Sequence, residues 1–175
     1  MARTEVRVTG LGGQGVILLG YILGKAAALY GNRHAVMTQS FGPEARGSAC
    51  SAQVIIDEER IAYPYAIHPQ HLIALSQEGY DIYIKQCVDD GTVFVDSELV
   101  EPKSKTHTHL TLPATRIAEE VGRRILLNMV MLGFYGRHAN LLDIAAFRSA
   151  IESSVPAGTE EMNLAAFERG WEAIP

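Results

Sequence analysis

A chain of 175 residues with 47% hydrophobic and 20% charged side chains is long enough to bury a real core and lacks the composition of a disordered chain. Its formal net charge of -5 argues against nucleic acid as a partner, because duplex affinity comes mainly from Lys and Arg set against phosphates. Its two cysteines, Cys50 and Cys87, fall short of the about four thiolates that an iron–sulfur cluster takes.

The start, Met1 to Glu5, runs directly into strand-like sequence without a signal-peptide pattern. The longest apolar tract, Gly15 to Gly31, is broken by Lys25 and is shorter than the roughly 20 residues of a bilayer span. A cytoplasmic chain, off the membrane and forming one module over 1–175, is the expectation.

In chain order, Glu5 to Thr9 alternates as a strand. The glycine turn Gly10-Leu11-Gly12-Gly13-Gln14-Gly15 follows and opens a helix whose apolar positions recur at three and four, stopped by Gly31-Asn32. His34 to Thr38 and Ser51 to Asp57 read as strands flanking a loop, Gln39 to Ser48. Leu72 to Leu75 reads as a short central strand, and Ser76 caps a helix reaching Gln86. Asp89-Asp90-Gly91 is a turn, Thr92 to Asp96 a strand, and Thr106 to Leu112 a polar edge strand. Pro113 begins a helix to about Val121, and helices follow over Arg124 to His138, Leu142 to Ser153 and Leu164 to Ala173. This alternation predicts an α/β fold, a Rossmann-like layered sandwich with a mostly parallel central sheet and extra C-terminal helices.

Gly10, Gly12 and Gly15 satisfy the dinucleotide fingerprint in its proper strand-to-helix setting, where backbone N–H groups face an anion. The fingerprint also asks for an acid about 20 residues on to hold the ribose. No Asp or Glu lies between Gly31 and Pro43, so an anion or phosphate site fits better than a nicotinamide site. Tight strand-to-helix packing is the competing account of the same glycines. The loop Ser40-Phe41-Gly42-Pro43-Glu44-Ala45-Arg46-Gly47 offers a guanidinium suited to phosphate, and in a parallel sheet it lies at the same edge. A solvated surface turn is the alternative there. His107 and His109 have no third ligand at a recognisable spacing, and no nucleophile–base pair can be assigned. The helix Arg124 to His138 is apolar in nearly every direction, as a central core helix or as one presenting Asn128, Met131 and Gly133 to another subunit.

Three segments in order resemble one family: Gly10-Leu11-Gly12-Gly13-Gln14-Gly15-Val16, then Ser40 to Gly47, then Leu75-Ser76-Gln77-Glu78-Gly79-Tyr80. The chain is similar to the gamma subunit of 2-oxoacid:acceptor (ferredoxin) oxidoreductases, with the stand-alone gamma of the 2-oxoglutarate enzymes nearest and pyruvate and branched-chain enzymes next. One departure is Ser48, where the family's loop carries a second glycine after Arg46-Gly47. The resemblance implies oxidative decarboxylation of a 2-oxoacid to acyl-CoA, by a chain inactive on its own. It places thiamine diphosphate, magnesium and iron–sulfur clusters on alpha, beta and delta partner subunits, with ferredoxin as acceptor. Coenzyme A is the co-substrate, and the gamma module aids its access and the assembly. The glycine turn (Gly10, Gly12, Gly13, Gln14, Gly15) and the loop (Ser40, Gly42, Pro43, Glu44, Arg46, Gly47) are the candidate coenzyme A or phosphate contacts. A self-contained NAD(P)-binding oxidoreductase and a purely structural module are the alternatives.

Overall fold

The computed structural model describes residues 3–41 and 49–175. Strand β1 (Thr4–Leu11) stands third in a six-stranded sheet of order β2-β3-β1-β4-β5-β6. It pairs in parallel with β4 (His71–Ala74), which continues in parallel to β5 (Thr92–Asp96) and then β6 (Thr108–Leu112). On its other side β1 pairs antiparallel with β3 (Ala49–Asp57), which forms a hairpin with the edge strand β2 (His34–Phe41).

The layered α/β architecture is as expected, but the sheet is mixed: three pairings are parallel and two antiparallel. The reason lies in connection length. Residues 42–48 join β2 to β3, and so short a link makes a hairpin, whereas a parallel crossover needs a dozen or more residues.

Helix α1 (Val16–Lys25), extended by a π-helical turn over Ala26–Tyr30, covers one sheet face. Gly20 lets it approach closely, since a Cβ there would stand 2.8 Å from Ala52 Cβ. Leu19, Ile22 and Leu23 are buried with Val6, Val8 and Val54 beneath them. Helix α2 (Gln77–Tyr83) covers the other face over β4 and β5, where Tyr80 and Ile84 pack on Leu72, Val93 and Val95. Each such buried side chain contributes roughly 1.5–3 kcal/mol of transfer free energy.

The remaining helices, α3 (Ala114–Val121), α4 (Leu127–Ala139), α5 (Ile144–Glu152) and α6 (Glu160–Glu172), lie on the α1 side. Helix α4 explains its own composition: ten of its thirteen residues are buried, because Phe94 of the sheet meets it on one side and α6 on another. A Cβ on Gly133 would meet the α6 backbone at Phe167 and Trp171, so α4 and α6 run in backbone contact. Helix α6 begins four residues before the expected Leu164. Glu160 and Glu161 form its first turn, where acids favour the helix dipole but give no apolar period to read. Among the described residues no helix is long and apolar enough to cross a membrane.

Candidate anion site at the carboxyl edge of the sheet

The strands converge on one edge through their pairing. Leu11 ends β1 opposite Ala49 at the start of β3, and Phe41 ends β2 opposite Cys50. The ends of β2 and β3 that residues 42–48 join therefore lie at the edge that carries the glycine turn, although the antiparallel β3 stands between β2 and β1. Of the candidate loop, Ser40 is exposed and pairs with Ser51, while Gly42, Pro43, Glu44, Arg46 and Gly47 lie outside the described residues.

The glycine turn is held by its own glutamine. Gln14 Oε1 accepts from the Leu11 N–H at 2.6 Å, and Gln14 Nε2 donates to the Leu75 carbonyl at 2.8 Å. Leu75 N–H in turn donates to the Thr9 carbonyl at 2.8 Å, continuing the β1–β4 ladder. One carboxamide thus staples the carboxyl ends of the two central parallel strands. Gly10 makes room for it, since a Cβ there would stand 2.6 Å from Gln14 Oε1 and 3.1 Å from Leu75 Cβ.

Gly13 (φ 93°) and Gly15 (φ 73°) are left-handed, which a glycine adopts without a Cβ penalty. Gly15 is the N-cap of α1, and its carbonyl accepts from Leu19 N–H and from Asn128 Nδ2 at 3.3 Å. Gly12 and Gly13 remain exposed, and among the described residues no atom lies within 4 Å of a Cβ built on Gly13. The first N–H groups of a helix lack intrahelical partners, so this open corner beside the α1 N-terminus suits an anion. Beside it, Ser76 caps α2 by accepting the Gly79 N–H at 3.1 Å, as its sequence predicts. Gly79 packs on Thr9, where a Cβ would come within 2.8 Å of Thr9 Cγ2.

The same geometry speaks against a nicotinamide dinucleotide. Gln14 spans the gap between β1 and β4, and the end of β2, where a ribose-binding acid belongs, is displaced by the inserted β3.

Asn128, Met131 and Gly133 are placed inside the chain rather than on its surface. Asn128 is 4% exposed, donating to the Gly15 carbonyl and accepting the Met129 N–H; Met131 is fully buried; Gly133 faces α6. The apolar tract that suggested a subunit contact is accounted for by α6. What periodicity missed is that Asn128 braces the glycine turn.

Other polar residues have structural duties. Asp96 is fully buried, with its carboxylate accepting Glu98 N–H, Thr115 N–H and the Thr115 hydroxyl at the N-terminus of α3. His107 Nδ1 is bonded to Ser104 Oγ at 2.6 Å and His109 Nε2 to Tyr80 Oη at 3.0 Å. Cys50 and Cys87 are free thiols, and burial pushes Cys87 up to about 11, far from a reactive thiolate. Among the described residues no group of three or more His, Cys, Asp or Glu is arranged to hold a metal.

A layered α/β sheet with an anion-favouring glycine turn at its carboxyl edge defines a Rossmann-like module. The chain belongs to the pyruvate ferredoxin/flavodoxin oxidoreductase family, whose sequence profile matches residues 5–173. It is 48% identical to the 2-oxoglutarate synthase subunit KorC of Methanocaldococcus jannaschii, over 97% of this chain and 93% of that one. Identity to the pyruvate synthase subunit PorC of Methanothermobacter thermautotrophicus is 30%, over 97% and 95% of the two chains. The crystal structure of a keto/oxoacid ferredoxin oxidoreductase gamma subunit from Geobacter sulfurreducens superposes with a TM-score of 0.86 at 36% identity, covering 97% of this chain and 96% of that one.

Proposed function

We propose that this chain, acting as one module over residues 1–175, is the gamma subunit of a multi-subunit 2-oxoglutarate:ferredoxin oxidoreductase. That enzyme decarboxylates 2-oxoglutarate oxidatively, joins the acyl group to coenzyme A, and passes the electrons to ferredoxin. The observation that carries the substrate is the gap in full-length identity, 48% to a 2-oxoglutarate synthase subunit against 30% to a pyruvate synthase subunit. Thiamine diphosphate, magnesium and the iron–sulfur clusters belong to alpha, beta and delta companions, a division supported by the two cysteines of this chain.

Within the complex, the glycine turn and the hairpin tip serve coenzyme A. Exposed Gly12 and Gly13 at the α1 N-terminus favour a diphosphate, and Arg46, in the sequence that joins β2 to β3, would add a guanidinium. Two measurements test this reading. The complex purified from its source should prefer 2-oxoglutarate over pyruvate and 2-oxoisovalerate in kcat/KM by on the order of tenfold or more. A preference for either competitor by that margin overturns the substrate. In the same complex Gly13→Val and Arg46→Gln should raise the KM for coenzyme A roughly tenfold, about 1.4 kcal/mol, with the KM for 2-oxoacid unchanged. Unaltered coenzyme A kinetics in a fully assembled enzyme leave the chain a structural module.

A further inference from the structure

Strand β2 is an edge of the sheet, paired with β3 through eight consecutive residue pairs, His34–Asp57 to Phe41–Cys50, without a bulge. Soluble proteins guard such an edge with charge, proline or a bulge, because its outward N–H and C=O groups invite another strand. Here the strand reads His34-Ala35-Val36-Met37-Thr38-Gln39-Ser40-Phe41, with no Asp, Glu, Lys, Arg or Pro. The link to β3 cannot shield its length, since seven residues tied at Phe41 and Ala49 are too few to reach back to Ala35 and return. Ala35 to Thr38 are half-buried, and Gln39 and Ser40 are exposed.

The helix beside this edge is apolar on its outer side as well. From Val16 to Tyr30 the single charged residue is Lys25, whose ammonium donates to the Ser153 carbonyl at 2.8 Å and to Ser154 Oγ at 3.0 Å. Tyr21 is 50% exposed and Leu29 is 67% exposed. With Lys25, Ala28, Ala35 and Met37 they line a groove of about 270 Å³ between α1 and β2. A Cβ on Gly20 would meet Ala52 and Met37, and one on Gly24 would touch Val54, so the glycine face of α1 lies over β3 and leaves the groove over β2.

The bare strand edge calls for a strand, and the groove calls for apolar side chains carried above that strand. A second copy supplies both through one two-fold axis perpendicular to the sheet. Such an axis sets β2 antiparallel to its copy and keeps both α1 helices on the same face. Side chains alternate with period two, so opposed residues share a face only if the axis passes through a residue. Met37 is that residue, mid-strand and in the groove. Val36 then opposes Thr38 of the second copy and Ala35 opposes Gln39, with no like charges set against each other.

The dimensions agree. The two β3 strands would lie three strand spacings apart, about 14 Å. The α1 helices above them are thus farther apart than the roughly 8–10 Å of direct helix packing, and Tyr21, Leu29 and Met37 of both copies fill the difference. His34 to Ser40 runs about 24 Å, and the sheet and helix layers together stand about 20 Å high. That outline is on the order of 500 Å² in projection, and interdigitated surface exceeds its projection, so the contact approaches the roughly 800 Å² per partner of a specific dimer.

We propose that two copies of this chain join through their β2 edges, antiparallel about Met37, into one continuous sheet with the two α1 helices side by side above it. The glycine turn, on β1 two strands inward, stays open. The proposal goes beyond the subunit reading and stands without it, since it concerns the free chain.

The test is sedimentation equilibrium of the full free chain at micromolar concentrations, with Tyr21→Glu, Leu29→Glu and Val36→Lys. The wild-type chain should be dimeric, and each variant should weaken the dimer at least about tenfold, because every charge enters twice. Tyr21 and Leu29 are too exposed to support the core, so their variants report on the contact alone. A wild-type monomer overturns the proposal; if Leu29→Glu then blocks assembly with companion subunits, the same surface belongs to a companion. A dimer that Tyr21→Glu and Leu29→Glu leave intact overturns it as well. Val36 lies on the opposite sheet face, so a dimer broken by Leu29→Glu but indifferent to Val36→Lys overturns the strand pairing. Should Val36→Lys fail to fold, hydrogen exchange decides: the β2 amides should be slow in the wild-type dimer and fast in Leu29→Glu, and equal rates overturn the pairing. Every readout is independent of 2-oxoglutarate and coenzyme A, so the subunit reading stands or falls separately.

Discussion

Gln14 shows how little of a residue's role is visible at its own position. Its place among glycines marked it as part of an anion-binding turn, yet its side chain is spent on Leu11 and Leu75. Gln14→Glu keeps the shape and the bond from Leu11 N–H but turns an acceptor toward the Leu75 carbonyl. The substitution should cost about 1–3 kcal/mol, seen as a fall in melting temperature of roughly 2–4 °C per kcal/mol. Gln14→Met, which removes both polar partners, should cost a comparable amount; a fully stable Gln14→Glu chain would show the staple to be unimportant.

Titration belongs at the same scale. Burial lowers the pKa of His71 below its usual 6.5, and its Nδ1 lies 3.0 Å from the buried Tyr135 hydroxyl. Because the folded pKa is depressed, the unfolded chain takes up the proton first as pH falls. The His71 contribution is whole above 6.5 and is lost below it, down to the lowered folded value. His109 shifts in the same direction, through burial first and then the neighbouring His107. Urea unfolding between neutral pH and pH 5 should show stability falling on the acid side, less steeply in His71→Gln. An identical acid limb in that variant would remove His71 from the account.

At the scale of elements, helix periodicity and capping were readable: Ser76 caps α2, Pro113 precedes α3, and Gly122 follows it. Helix partners were not readable, because an apolar face does not name what covers it. The all-round apolarity of α4 was compatible with a subunit contact, and only α6 at backbone distance resolved it. Gly133→Ala tests that packing, since a methyl there would meet Phe167 and Trp171 backbone rather than a yielding side chain. It should destabilise the chain by about 1–3 kcal/mol through overpacking. Calorimetry of the free chain checks this, and a neutral result would mean that α6 can step back.

At the scale of the molecule, the layered class and the shared edge of turn and loop were legible from alternating elements and from three ordered motifs. That β3 runs antiparallel to both of its neighbours is not part of what the alternation tells. The short link at 42–48 carried the needed information, and loop length deserved more weight there than strand alternation. The hairpin also bears on the missing ribose acid: with β3 beside β1, the end of β2 is no longer next to the turn, so an acid there would not adjoin it.

The staple and the brace also constrain the order in which the chain can be built. The glycine turn emerges early in synthesis, but Leu75, which receives Gln14, follows 61 residues later, and Asn128 follows Gly15 by 113. Neither neighbour of β1 in the sheet is adjacent to it in sequence, so its closures are long-range and slow, with loop entropy paid before contacts repay it. The turn therefore matures after α4 has docked. Ribosome-bound chains ending before Leu127 should leave the Leu19 amide, whose acceptor is the Gly15 carbonyl that Asn128 braces, exchanging faster than longer chains do, coupling the readiness of the anion site to completion of the helical layer.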